Sequence, residues 1–455
     1  MKFRLLAHAA LWIECGETSA LLDPWLQGSA YDGAWALLPE PSTSLVPSAR
    51  PDWVVYSHGH PDHFHFPTLD ALVTRFGRDL KFLVPRQIVG SLADTLRARG
   101  LRRVYEARAC QPVALGNGLT ITFYPLRAND SVQIVQTGGH TLINANDCEI
   151  DDTVLRHLAR QWPRCDFYLG QFSIGDGYPF RLHGLAESVL AAAALQPLAR
   201  FRRQAKGLAA RYAIPSAALF RFAHADNQHM NRWLTPLDDV RAPLEDFEPL
   251  TILYPGDGFD ERSGFVREPT HRARYENAVT ALRAGALPCT ARGPAPTRAS
   301  LEAAAAERFA DMFARIPAPL RRRMKPLGFY LEDAACSVTV DWSARTLRWA
   351  DVPPAVPHYR LAASHFLGVC RSRWGWCDFH IAARFSVHGW RHETAIQFFL
   401  PLSILYGLGY FSCGWRHYLR LRSFVDAWDR RVEIAAVVRR AARHSAFDDG
   451  PVPRL

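Results

Sequence analysis

Three histidines and one aspartate stand within six residues in the segment 57–63, SHGHPDH. His58 and His60 alternate along an extended chain, so both imidazoles can reach one metal ion. Asp62 and His63 follow where the chain turns, and they can reach a second ion beside the first. Imidazole nitrogens and carboxylate oxygens are ligands that zinc and iron accept. The spacing therefore predicts a binuclear metal site, and the alternative is a histidine-rich surface loop.

The elements on either side of this segment would position its ligands. Residues 52–56, DWVVY, are apolar and β-prone, which predicts a buried strand. Residues 67–72, PTLDAL, predict the start of a helix, with Thr68 or Ser57 as its cap. The candidate ligands would then lie at a strand-to-helix turn, where an active site can form.

The histidine-rich segment resembles the signature of the metallo-β-lactamase fold. Its surroundings resemble one branch, the metallo-β-lactamase-like domain of CMP-N-acetylneuraminate hydroxylase and its bacterial relatives. The similar segments are 22–28 (LDPWLQG), 35–41 (WALLPEP) and 65–69 (HFPTL), and the match covers about residues 1–260 in separate blocks. The resemblance implies an α/β fold, namely a metallo-β-lactamase αββα sandwich.

The resemblance also implies ligands outside the segment. Asp147 ends the β-prone segment 141–146, and in the resembled fold an aspartate at this place bridges two metals. Many relatives carry a histidine before this hairpin, but this chain has Asp130 in the segment 127–131, RANDS. Asp130 could ligate in its place, or it could be an ordinary turn residue beside a weak second site.

The remaining ligand is expected at the end of a later strand. The segment 218–227, ALFRFAHADN, resembles the strand-then-histidine block of the branch, and His224 is our candidate. His183 and His229 are weaker candidates. His140 follows a predicted glycine hairpin turn, roughly 20 Å along an extended strand from Asp147, so it is not expected in the site.

These residues predict a site with two divalent ions, zinc or iron, of which the second is less certain. The first ion would take His58 and His60. The second would take Asp62, His63 and His224, with Asp147 bridging and Asp130 as a further ligand. Asp62, His63 and Asp147 are the predicted catalytic residues. His8 could lie near the metals or be a core histidine.

Composition constrains the partners and the compartment. The 455 residues carry a formal charge of +10, and lysine occurs only four times, so the excess is arginine. Guanidinium groups favour anionic small-molecule substrates, and no aromatic-basic platform predicts nucleic acid. Nine scattered cysteines without a signal peptide predict a cytoplasmic protein. The apolar run 398–412 is too short for stable membrane insertion.

A loop-like stretch at 285–300 predicts two units. We expect a catalytic domain at 1–285 and a C-terminal α+β appendage at 300–455. Within the first unit, residues 185–213 are expected to form one long helix.

The resulting hypothesis is a metal-dependent hydrolase. It would act on an anionic phosphoester or lactone through metal-activated water. One alternative is an iron-dependent oxygenase, like the hydroxylase that the chain resembles. That hydroxylase carries a Rieske cluster, whereas here Cys377 and His380 are too few to hold one, so an external electron donor would be needed. A second alternative is a non-catalytic metal-binding scaffold.

Overall fold

A computed structural model describes residues 1–41, 46–87, 91–126, 130–372 and 375–389, and only the backbone of residues 320 and 375–377. The strands of the first unit are β1 Lys2–Ala7, β2 Ala10–Cys15, β3 Thr18–Leu22, β4 Ser29–Ala30, β5 Trp35–Leu37, β6 Trp53–Val55, β7 Lys81–Pro85, β8 Val104–Ala107, β9 Val113–Gly116, β10 Leu119–Leu126, β11 Asp130–Gln136, β12 Thr141–Asn144, β13 Phe167–Gln171, β14 Tyr212–Ser216, β15 Phe220–Phe222, β16 Gly258–Asp260 and β17 Gly264–Val266. The helices are α1 Phe66–Phe76, α2 Leu92–Ala98, α3 Asp152–Gln161, α4 Glu187–Ala194, α5 Gln196–Gly207 and α6 Pro269–Arg283, with 3-10 turns at Gln228–Trp233, Leu237–Val240 and Ala242–Leu244.

These strands form two large sheets and a small one within the described residues. The first sheet has the order β17-β16-β1-β2-β3-β6-β7-β8, and the second has the order β14-β13-β12-β11-β10-β9. A small sheet, β15-β5-β4, lies beside them. In the first sheet, β3, β6, β7 and β8 run parallel, so their carboxyl ends meet at one edge.

Alternating side chains explain how the first sheet is covered on both faces. Ala20 and Leu22 belong to the core between the two sheets, whereas Leu21 belongs to a second core on the outer face. Likewise, Val55 belongs to the core between the sheets and Val54 to the core on the outer face. Since successive residues of a strand point to opposite faces, each strand contributes to two apolar layers.

Helices complete the outer layers. Leu69 and Leu72 of α1 and Leu96 of α2 pack in the core on the outer face of the first sheet. Leu155 of α3 and Phe201 of α5 pack with the second sheet. This arrangement is an αββα sandwich, and it confirms the predicted α/β fold class.

A second set of elements follows residue 297. It consists of α7 Arg298–Arg315, α8 Ala318–Arg321, β18 Leu327–Leu331, the 3-10 turn Glu332–Ala334, β19 Cys336–Asp341, β20 Thr346–Ala350, β21 His358–Leu361, α9 Ala363–Arg371, α10 Gly375–Ala382 and β22 Phe385–His388. The strands form the sheet β20-β19-β18-β21-β22. Phe309, Phe329 and Trp342 lie in a core of their own. This is α+β structure, while the predicted boundary at 285–300 stays a prediction.

Two local predictions were wrong. Residues 185–213 form α4, α5 and the start of β14 rather than one helix, because Pro197 opens a new helix and α5 ends at Gly207. The cap of α1 is His65, whose Nδ1 accepts from the Thr68 N–H, rather than Thr68 or Ser57.

No described helix is long and apolar enough to cross a bilayer. The apolar run 398–412 lies outside the described residues.

Candidate metal centre

The histidine-rich segment leaves the first sheet at the carboxyl end of β6 and leads into α1. Three groups of side chains there hold their ligating atoms within 4.8 Å of one another: His8 with Asp62 and His63, His58 with His63 and Asp147, and His58 with His60 and Asp130. His63 belongs to two of these groups, and so does His58. The groups therefore overlap around neighbouring points, as a centre with two adjacent ions requires.

The polar atoms of these groups fit metal ions. Nε2 of His58, Nε2 of His63 and Oδ1 of Asp147 are buried and have no hydrogen-bond partner among the described residues. Buried polar atoms are normally satisfied, and an unsatisfied set that converges needs an explanation. His63 Nε2 lies 3.8 Å from Asp147 Oδ1, and His58 Nε2 lies 3.7 Å from Asp147 Oδ2. A divalent ion between these atoms would satisfy them.

Asp23 connects the segments that carry the ligands. It is fully buried at the end of β3. Its Oδ1 accepts from the Ser57 N–H at 2.6 Å, and its Oδ2 accepts from Asn146 Nδ2 at 3.0 Å. The same Oδ2 lies 3.4 Å from His63 Nδ1. A carboxylate on one ring nitrogen directs the other nitrogen towards the metal.

The other ligands are oriented in similar ways. Ser57 Oγ lies 2.9 Å from His58 Nδ1, which leaves His58 Nε2 for the metal. Tyr31 Oη donates to Asp62 Oδ1 at 2.5 Å, and His8 Nε2 lies 3.0 Å from Asp62 Oδ2. His8 thus acts here as a partner of Asp62.

Substitution of Asp23 tests this orientation. Asp23→Asn is expected to weaken metal affinity about 10- to 100-fold, because the uncharged amide no longer holds His63. Titration of the metal-free protein with zinc measures the effect. Asp52→Asn is the matched control, since Asp52 accepts from Ser19 at the exposed, opposite end of β3. Equal affinities of both variants would contradict the proposed role of Asp23.

The charges of the site suit metal binding. Burial favours the neutral form of Asp62, but His63 and His8 outweigh it and hold the pKa of Asp62 well below its usual range. Burial is likewise outweighed at Asp147, whose pKa is lowered by His58 and His63. Burial lowers the pKa of His58, which favours the neutral imidazole that metals require. Both carboxylates are therefore ionised at neutral pH.

Asp130 lies with His58 and His60, as one of the two sequence-based alternatives expected. Ser131 explains its position, because its Oγ donates to the Ser57 carbonyl at 2.6 Å and holds the start of β11 against the histidine-rich segment. The carboxylate therefore lies where a first ion would be bound by His58 and His60.

His224 is not brought to these groups. It follows β15, and its Nδ1 accepts from the Asp226 N–H and lies 3.1 Å from Asp226 Oδ2. Asp226 also binds Arg292 and Arg384. The described geometry places His224 in this ionic cluster, and its ligand role stays a prediction.

If the ionic cluster is its only role, His224→Ala is expected to retain the bound metal. It should lower the free energy of unfolding by roughly 1–3 kcal/mol, because Asp226 loses a buried partner. Elemental analysis and urea denaturation measure the two effects. Loss of metal from this variant would instead support the ligand role of His224.

The other histidines lie elsewhere. His140 packs against Phe167 and Phe259, away from the three ligand groups, as expected. His183 stacks on His388, and His229 contacts Arg181.

His380 packs its ring against Tyr359 and Phe385. The side chain of Cys377 lies outside the described residues, so the absence of a cluster on these two residues stays a prediction.

A cavity of about 520 Å³ opens over the centre. His58 and His60 form part of its floor, and Tyr31 lines it beside them. Asp378 and Phe379 of α10 also line it. Burial raises the pKa of Asp378 to about 6, with His60 lowering it and Asp62 raising it. Sequence reasoning missed Tyr31 and Asp378, and it noted Asp23 only within the LDPW segment.

The layers have the αββα order of the metallo-β-lactamase fold that the sequence resembles, and the ligand groups could hold metal ions. Residues 18–170 match the sequence model of the beta-lactamase superfamily domain, which confirms the resemblance for this part of the chain.

The curated relatives are named as an iron–sulfur protein and as a hydroxylase. A Mycobacterium tuberculosis protein named as a Rieske 2Fe-2S iron-sulfur protein is 28% identical over 244 residues, 51% of this chain and 46% of that protein. The cytidine monophosphate-N-acetylneuraminic acid hydroxylase of Sus scrofa is 39% identical over 69 residues, 15% of this chain and 16% of the hydroxylase. The chain thus spans less than half the length of either relative.

Solved structures of a hydroxylase and of a hydrolase are similar to the chain as well. CmlA, a diiron β-hydroxylase from Streptomyces venezuelae, is 17% identical with a TM-score of 0.36, over 64% of this chain and 52% of CmlA. An isothiocyanate hydrolase from Delia radicum gut bacteria is 14% identical with a TM-score of 0.41, over 57% of this chain and 99% of the hydrolase.

Proposed function

We propose that this protein is a metal-dependent hydrolase that holds two divalent ions and acts on a small molecule. The observation that carries the proposal is the overlap of three ligand groups, of which His58 and His60 line a cavity. His58, His60 and Asp130 would hold one ion, Asp62 and His63 the other, and Asp147 would bridge them. Bound there, the ions would supply an activated water and polarise an oxygen of the substrate.

The protein's own residues keep this arrangement in place. Asp23 orients His63, Ser57 orients His58, and Tyr31 holds Asp62. Burial and the neighbouring Asp62 raise the pKa of Tyr31 far above its usual range, so its hydroxyl stays protonated and donates. The apolar wall, which includes Phe64 and Phe379, limits the access of bulk water.

A second candidate function, oxygenation with iron, is favoured by Asp130. Two histidines and one carboxylate make a ligand set that non-haem iron enzymes use, although zinc enzymes use it too. The named chemistry of the hydroxylase relatives points the same way. If Cys377 and His380 hold no cluster, as the sequence predicts, this function would need an external electron donor.

Metal analysis of protein purified without added metal distinguishes the candidates. Zinc, with turnover of a lactone or phosphoester and no oxygen uptake, supports hydrolysis. Iron, with oxygen uptake in the presence of a chemical reductant, supports oxygenation. Protein without stoichiometric metal that also fails to bind added zinc or iron would contradict both and leave the scaffold alternative.

The predicted anionic charge of the substrate stays a prediction. It followed from the arginine content of the whole chain, which does not specify where the arginines lie.

A further inference from the structure

The lining of the cavity contains a carboxyl group without an assigned role. Asp378 lies on α10 and shares the cavity with His58, His60 and Tyr31. Its carboxyl group interacts electrostatically with His60 and Asp62 of the ligand groups. A carboxylate in this position is available to a bound ligand.

The position of Asp378 is fixed by contacts at the end of α10. The His380 carbonyl accepts from the Gly177 N–H at 3.0 Å, and the Ala382 carbonyl accepts from Asn227 Nδ2 at 2.8 Å. Just beyond the helix, Arg384 contacts Asp226 Oδ2 at 3.3 Å and donates to the Asp32 carbonyl at 3.2 Å. These contacts fasten α10 to the catalytic sandwich beside the cavity.

The charge of the cavity wall indicates what Asp378 would bind. The described residues that line the cavity include neither arginine nor lysine, and of their two carboxylates Asp32 is already paired with Arg384 at 3.3 Å, which leaves Asp378. The cavity is also lined by apolar side chains, such as those of Phe66, Leu92 and Val369. An anionic group would be repelled at this wall, whereas a cation would form a charge-assisted hydrogen bond.

We propose that Asp378 is a specificity-determining residue that binds a positively charged amine of the substrate while the substrate's reacting group lies at the metals. The inference rests on the proposed function, because it assumes that the ligand groups hold metal. It assigns to the C-terminal unit a direct part in substrate selection.

Three hydroxamic acids test the proposal without knowledge of the substrate. Hexanohydroxamic acid, its ω-amino derivative and adipic monohydroxamic acid share a metal-chelating head and differ in the charge of the tail. Their dissociation constants with zinc-loaded full-length protein are measured by calorimetry. The wild type is expected to prefer the amino derivative and to bind the carboxylate-tailed compound least.

Asp378→Asn should weaken binding of the amino derivative by about 10- to 100-fold, as loss of a hydrogen bond to a charged group does. Binding of the neutral compound and the zinc content should be unchanged, and Asp378→Glu should retain the preference. Glu307→Gln, on the exposed side of α7, is the control and should match the wild type.

The outcomes are distinguishable. Equal weakening of all three compounds in Asp378→Asn, or loss of zinc, would overturn the specificity role. A wild type that binds the three compounds equally would do the same. Failure of the wild type to bind any of them would instead contradict the metal centre and thus the proposed function itself.

Discussion

Replacement of His58 by alanine is expected to remove most of the bound metal, with a loss of affinity of more than about 100-fold. His58 would bind the first ion, and it also lies 3.7 Å from Asp147, which would bridge to the second, so its removal disturbs both ions. The remaining donors would be too few to compete with water. Elemental analysis of the purified variant gives the metal content directly.

The variant should remain folded. His58 is buried at the end of β6, but it is not a member of the apolar core between the sheets. Circular dichroism should therefore show wild-type secondary structure. His140→Ala is the control, since His140 packs against Phe259 in the same sandwich and lies outside the ligand groups. Full metal in His58→Ala, or equal loss in both variants, would show that the centre is placed incorrectly.

The histidine-rich segment could be interpreted from sequence because its ligands are local. Four of them lie within six residues, so their approach depends only on the path of a short turn. The strand β6 could be predicted for a similar reason, since the apolar, β-prone character of residues 52–56 is also local.

The remaining parts of the site depend on contacts between distant segments. Asp23 meets Asn146, 123 positions away, and α10 reaches the cavity through Arg384 and Asp226. No local pattern distinguishes a buried carboxylate that orients a histidine from one that ends a strand. The same limit explains His224, whose strand was recognised but whose partner, Asp226, was not.

Asp130 provides the last prediction, because it replaces the histidine that many relatives of the resembled fold carry. Asp130→Ala is expected to lower the metal content from two ions per chain to one. Asp130 takes part only in the group with His58 and His60, so the ion at Asp62 and His63 keeps its ligands. Metal counts per chain, measured after dialysis against metal-free buffer, give the result.

Asp130→His is the informative companion variant. An imidazole at this place should keep both ions, because it replaces one donor by another, and it should raise the preference for zinc over iron since the ligand set loses a carboxylate. Competition between equal concentrations of zinc and ferrous iron under anaerobic conditions measures that preference. If Asp130→Ala keeps two ions per chain, Asp130 is an ordinary residue at the start of β11, and the oxygenation candidate loses the observation that favours it.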